Sequence, residues 1–260
     1  MIYEASDFVF EPPPEVARAR RVLVKPFARY PLAYPVTTSR ETLATIVAGI
    51  RRVSDADILF LESAAPGYSA RQVFQTLGYD FPRIMRWDVE ESFTVEVENP
   101  LAKPFTMSTF RVPNIILYCD YLISVAPLKV LKAGASLSVA NLLGLIPRSK
   151  RGQEVPGASD LFSHPDVDAV VADLYFTLPF DLGIIDARKA LVAGDDPTGG
   201  DMEECGLVFV GEPYEADSEA CELLGLDAGY LRLIKAGRGQ IAAQSPIEER
   251  PQTKENGPSQ

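Results

Sequence analysis

VAPLKVLKAGASLSVANLLGLIP, residues 125–147, is the stretch whose reading decides the fold. The apolar run Tyr121–Ala126 leading into it has the length of a strand and meets a proline, after which Lys129 and Lys132 bracket a turn into Ala133-Gly134-Ala135-Ser136. From Leu137 to Leu145 the apolar residues recur at helical spacing, with Ser136 or Ser138 as N-cap. A strand end, two lysines, a loop of small residues and a helix start together predict an anion site, since free N–H groups at a helix N-terminus and an ammonium attract the same ligand. An ordinary strand–loop–helix joint with solvated lysines is the plain alternative.

Working outward, the same alternation of elements recurs. Val22-Leu23-Val24 is a short β-branched run stopped at Lys25-Pro26, which predicts a buried strand. Thr38 and Glu41 form a capping box ahead of an apolar stripe made by Leu43, Ile46, Val47, Ile50 and Val53. Asp57–Glu62 predicts the next strand, so strand, helix and strand make a right-handed crossover with a parallel pair. Ser69 then caps a helix carrying Val73, Phe74 and Leu77 and closed by Gly78. Phe93–Glu98 and Thr106–Val112 predict an antiparallel hairpin excursion with one wet face, followed by a short helix at Asn114–Cys119. Beyond the opening stretch come a helix over Pro165–Leu178, a strand Leu182–Ile185 ending at Asp186, a strand Gly206–Val210, and helices Tyr214–Leu224 and Tyr230–Ala236. The sum is an α/β fold, a mostly parallel sheet with helices on both faces. Residues 1–21 read as an N-terminal arm stiffened by Pro12-Pro13-Pro14 with a short helix through Arg21, residues 22–240 as a single domain, and residues 241–260 as a disordered tail.

Composition narrows the function. A net charge of -11 over 260 residues argues against a nucleic-acid partner, because phosphate binding needs a basic face. Cys119, Cys205 and Cys221 are far apart and form no C-x-x-C, which suggests neither a disulfide framework nor a thiolate metal site. The N-terminus has no basic segment followed by an apolar one, and no apolar run approaches membrane-spanning length, so a cytoplasmic protein with no membrane contact is expected. The only histidine, His164, sits in a context that reads as a helix start, which removes a His-based zinc centre. No P-loop, G-x-G-x-x-G or G-x-S-x-G occurs. Asp195, Asp196 and Asp201 lie in a Gly- and Pro-containing loop; they have carboxylates for Mg²⁺, but the residue types are first of all those of a turn.

In a parallel sheet, ligands bind outside the carboxyl ends of the strands. Lys25, Glu62, Lys129 and Asp186 each stand at or just past such an end and are expected to converge on one rim. Acid–base work would fall to Lys129, Glu62, Asp186 or Asp217.

The order of VLVKP (22–26), Thr37-Thr38 with Glu41, Glu62-Ser63, APLK (126–129), ANLLGLIP (140–147), IIDA (184–187), the Gly194–Gly200 loop and Ala216-Asp217 before Leu224-Gly225-Leu226-Asp227 resembles the family called domain of unknown function 362, over about residues 20–240. The family is largely uncharacterised, and some members carry ferredoxin modules for which this chain has no cysteines. The resemblance implies asparagine at Phe27, Thr-His where Val130-Leu131 stands and lysine at Ala140. With those polar groups exchanged, the site is expected to be apolar, lined by Phe27, Leu131 and Ser136, with Lys25, Lys129, Asn141 and Asp186 as polar handles. The expected function is a cofactor-independent and metal-free enzyme of specialised metabolism that acts on a largely apolar small molecule by proton transfer, elimination or cyclisation. Lys129 would be its base or oxyanion stabiliser and Asp186 or Glu62 the partner, an ammonium beside apolar groups having a lowered pKa. A non-catalytic small-molecule-binding or scaffold protein on the same fold is the alternative.

Overall fold

The computed structural model describes residues 1–148, 166–193 and 196–244. The strands are β1 (Ile2–Glu4), β2 (Arg21–Pro26), β3 (Asp57–Glu62), β4 (Ile84–Asp88), β5 (Thr94–Glu98), β6 (Thr109–Pro113), β7 (Tyr121–Leu131), β8 (Gly134–Ser136), β9 (Leu182–Val192) and β10 (Asp201–Gly211). The helices are α1 (Arg40–Val53), α2 (Ala70–Thr76), α3 (Val167–Thr177), α4 (Pro213–Leu224) and α5 (Gly229–Gln244). The main sheet runs β1-β10-β9-β7-β2-β3-β4, with β8 folded back on β7 and the hairpin β5-β6 standing apart. Five neighbours, β9, β7, β2, β3 and β4, are mutually parallel, whereas β10 and β1 add an antiparallel edge. Chain order therefore reverses at β2: the chain moves outward through β3 and β4, then returns to place β7 on the other side.

Each central strand is apolar on both faces because helices cover both. Val22, Val24, Ile58 and Phe60 pack against Leu43, Ile46 and Ile50 of α1 and Val73 and Phe74 of α2. Leu23, Leu61 and Ile185 face the other way, into a core with Val170 and Leu174 of α3, Ala216 and Ala220 of α4 and Ile234 of α5.

Several local expectations change in the folded chain. α1 is capped by Ser39, whose side chain accepts from the N–H groups of Glu41 and Thr42, so no capping box forms at Thr38. Thr38 instead donates its hydroxyl to the Val125 carbonyl at 2.8 Å, a tertiary bond that competes with capping. The N-terminal arm begins with β1, which pairs with β10, so part of it belongs to the sheet. β9 and β10 run several residues longer than their apolar cores, because antiparallel pairing satisfies polar and charged residues as well as apolar ones. β4 carries no apolar alternation and was not expected; its alignment with β3 makes it a strand.

The largest change falls in the opening stretch. β7 does not stop at Pro127 but continues to Leu131, and Gly134–Ser136 returns as β8, with Lys129 opposite Ser136. The proline is tolerated because the pairing with β9 shifts register just after it, and a bulge is one of the places where a strand can lack an N–H. Ser136 is thus in a strand and caps nothing, and Ala140–Leu145 forms a 3₁₀ turn without a side-chain cap. The predicted helix N-terminus beside Lys129 does not exist. His164, the start of the helix predicted from Pro165 and the tail beyond Gln244 lie outside the described residues.

The segment leading into the 3₁₀ turn is fixed by Asp217 on α4. Its carboxyl group accepts from the N–H of Ser138 and of Val139, both at 3.0 Å, from the Ser138 hydroxyl, and from the Tyr230 hydroxyl at 2.8 Å. Burial pushes this carboxyl up to about 6 against those four donors. Asp217→Ala leaves two backbone donors unsatisfied in the core and is expected to lower unfolding free energy by on the order of 3 kcal/mol, read by urea denaturation. An unchanged midpoint would show that the clamp is dispensable.

Candidate functional site at the carboxyl edge of the sheet

The strand order reverses between β2 and β7, and in open parallel sheets ligands bind outside the carboxyl ends of the strands at such a point. Three of the predicted residues meet there. Lys25 is fully buried, and its Nζ donates to Glu62 Oε2 at 2.8 Å, to Asn141 Oδ1 at 2.9 Å and to the Pro26 carbonyl at 3.0 Å. Glu62 is equally enclosed: Oε2 also accepts from Ala28 N–H and Oε1 from Ser63 N–H, each at 2.8 Å. Asn141 turns its amide nitrogen to the Lys25 carbonyl and to Ser124 Oγ, both at 3.0 Å, so one side chain bridges β2, β7 and the 3₁₀ turn. Gly144 lies directly over the pair; a Cβ there would fall 2.8 Å from Lys25 Nζ and collide with Glu62 Oε1. Ser124 and Gly144 escaped sequence reasoning, although both lie in segments quoted above; a serine in an apolar strand and a glycine in an apolar turn were the available signals.

Lys129 completes the group under different conditions. It is 2% exposed, and its Nζ has no hydrogen-bond partner among the described residues. The amine sits 3.8 Å from the centre of the Phe27 ring. Loss of hydration drives its pKa from the ordinary 10.5 down to about 7; the Glu62 carboxylate opposes that shift and the Arg29 guanidinium adds to it. Phe27 is held in place by its own N–H, which donates to Thr38 Oγ1 at 2.8 Å. Two lysines thus flank Glu62, one tied to it in an ion pair and the other resting on an aromatic face.

Asp186 stands apart. It is buried and accepts from Tyr34 at 3.0 Å, from the Thr42 hydroxyl of α1, and from Arg188 Nε at 3.0 Å and Nη2 at 2.8 Å. Strand alternation turns it toward α1, while Lys25 faces the 3₁₀ turn on the other side of the sheet. The single pocket expected for all four residues therefore divides, with Lys25, Glu62 and Lys129 in one cluster and Asp186 in another. Leu131 is also displaced, packing with Tyr30, Val36, Leu191 and Ala193 at the far end of β7. Asp217 is taken up by its structural clamp. In the acidic loop, Asp196 accepts from the N–H and hydroxyl of Thr198 at 2.8 and 2.6 Å, a local turn. Among the described residues no three His, Cys, Asp or Glu side chains are grouped to hold a metal ion.

Residues 22–222 match the family described as Domain of unknown function (DUF362). The chain belongs to that family. The match takes in Lys25, Glu62, Lys129, Asn141 and Gly144, so the whole cluster lies inside the DUF362 region. Among solved structures, the DUF362 fold of this chain is similar to that of the lactate racemase apoprotein from Thermoanaerobacterium thermosaccharolyticum, with a TM-score of 0.54 and 15% identity. That likeness covers 84% of this chain and 53% of the other, so the chain spans about half the length of that protein. No curated protein matches the sequence. No helix among the described residues is long and apolar enough to cross a membrane.

The contrast between the lysines sets opposite expectations for stability. Lys25→Met strands the Glu62 carboxylate in the core and is expected to cost about 3–5 kcal/mol in denaturant unfolding. Lys129→Met removes an amine without hydrogen bonds and is expected to leave stability at pH 6 unchanged or higher. Because the folded pKa of Lys129 lies below its unfolded value, the unfolded chain holds the extra proton between about pH 7 and 10.5, and stability conferred by this group rises with pH across that window. Lys129→Met should flatten that rise in melting temperature; a slope identical to the wild type would place the lysine in solvent.

Proposed function

We propose that this chain is an enzyme that moves a proton on a largely apolar small molecule, with Lys129 as the base. The observation that carries the reading is the Lys129 amine, enclosed, without a hydrogen-bond partner among the described residues and near neutral pKa, beside Phe27 at the strand reversal. A general base is most effective when its pKa lies near the working pH, and the surroundings of Lys129 bring it there. Lys25 and Glu62 have a supporting role. Their ion pair, bracketed by Asn141 and Gly144, holds the carboxyl ends of β2 and β3 against the 3₁₀ turn and so fixes the floor on which Lys129 works. Phe27 supplies the apolar wall that keeps the amine dehydrated. The likeness to a lactate racemase apoprotein lends support of a general kind, since it puts a small-molecule enzyme on this fold.

The test is deuterium wash-in at the carbons flanking the carbonyl of 4-phenyl-2-butanone, an apolar ketone, followed by NMR in D₂O. The wild type is expected to exchange faster than buffer, with a rate that rises through a midpoint near 7. Lys129→Met is expected to lower the exchange rate by two or more orders of magnitude, about what one acid–base group contributes. Exchange unaffected by Lys129→Met in a folded protein would end the assignment of the base. Ketone binding that weakens in Lys129→Met without any wild-type exchange would favour the non-catalytic binding protein.

A further inference from the structure

Lys25 and Lys129 both lie near Glu62, yet their nitrogens have different surroundings. At Lys25 the nitrogen is surrounded by three oxygen acceptors, which hold it as a charged donor. At Lys129 the nitrogen meets no acceptor among the described residues and faces a hydrocarbon ring. The Glu62 oxygens nearby are already engaged, Oε2 by Lys25 and Ala28 and Oε1 by Ser63. An amine kept dry and without a hydrogen-bond acceptor is the arrangement that turns a lysine from a counter-ion into a nucleophile.

We propose that Lys129 forms an imine with the substrate, and that the substrate is therefore an aldehyde or ketone carrying an apolar or aromatic group that packs on Phe27. The proposal rests on the reading of Lys129 as the reactive group and specifies its substrate class. In the first step the lone pair of Nζ adds to the carbonyl carbon, a C–N bond forms, and the C=O π pair moves to oxygen. Both hydrogens of the neutral amine pass to that oxygen, which departs as one water and leaves a C=N bond. Protonation of the imine nitrogen from solvent gives an iminium; the proton of a neighbouring C–H bond then passes to solvent water, the pair of that bond forms the C=C of an enamine, and the C=N π pair returns to nitrogen. No oxidant or reductant is consumed. Near neutral pH the lowered proton affinity of Lys129 gives it roughly a thousandfold larger share of free amine than an ordinary lysine.

Reductive trapping tests this directly. The full chain is incubated at pH 7 with phenylacetaldehyde and cyanoborohydride, and the adducts are located by peptide mapping. A single dominant adduct on Lys129, formed at least tenfold faster than on the exposed Lys103 and with a rate midpoint near pH 7, is the expected result. Lys129→Met should lose it while retaining the slower labelling of surface lysines; if that variant does not fold, the wild-type map and its pH profile still decide. Labelling spread over surface lysines, or an adduct at Lys25, overturns the proposal. Its failure is distinguishable from failure of the proton-transfer reading. Lys129-dependent deuterium exchange without trapping leaves a base that forms no imine, whereas trapping at Lys129 without exchange leaves a nucleophile that moves no proton.

Discussion

The buried ion pair between Lys25 and Glu62 is the constraint around which this edge of the molecule is built. Two charges at 0% and 2% side-chain exposure are tolerable only when every remaining valence is met, and the surrounding chain is arranged to meet them. The Asn141 amide and the Ala28 and Ser63 N–H groups are all drawn to the pair. Gly144 is where it is because no side chain fits between the 3₁₀ turn and the charges. Such a cluster adds little net stability compared with a hydrocarbon filling, but it fixes the relative positions of β2, β3 and the turn to within hydrogen-bond tolerance.

That rigidity gives the second lysine its character. If Glu62 were free to turn toward Lys129, the amine would gain a partner and its proton affinity would recover. Committed to Lys25 and to two backbone donors, the carboxylate acts on Lys129 through its field alone, and the desolvation of the amine outweighs it. Phe27 helps to exclude water from the amine but offers it no hydrogen-bond acceptor, and the π face 3.8 Å from the nitrogen attracts the charged form, so burial prevails over that attraction as well. The amine of Lys129 is thus left without a hydrogen bond among the described residues while the ion pair beside it stays intact.

The second buried cluster, around Asp186, serves the sheet. Three residues of β9, Ala187, Arg188 and Lys189, bulge relative to β7 between the positions opposite Pro127 and Leu128, while Ala187 and Lys189 keep partners on β10. Asp186 at the start of that bulge is tied to Tyr34, Thr42 and Arg188, and the Lys189 N–H returns to the Tyr34 hydroxyl at 2.7 Å. The bulge is what lets β7 keep its proline and still carry Lys129 to the edge. One cluster therefore supports the path of the strand, and the other defines the site at its end.

By itself the sequence determined the layered α/β fold, because β-branched runs ending in charge, alternating with amphipathic helices, have few other ways to bury both strand faces. It also marked Lys25, Glu62, Lys129 and Asn141, since charged or amide groups at strand ends and in an apolar turn stand out by type and spacing. Only the tertiary structure decided how they pair. The opening stretch reads as strand, loop and helix, but cross-strand hydrogen bonds to β9 and the return of β8 carry β7 past its proline, and no local propensity encodes a bond to a residue sixty positions away. Asp186 and Lys129 sit at equivalent strand ends in the sequence and on different clusters in space, because which face a side chain takes depends on register and on the bulge. The reactivity of Lys129 is decided the same way: the residue type permits a charged or a neutral amine, and its neighbours in space, Phe27 from one strand end and an already occupied Glu62 from another, select between them.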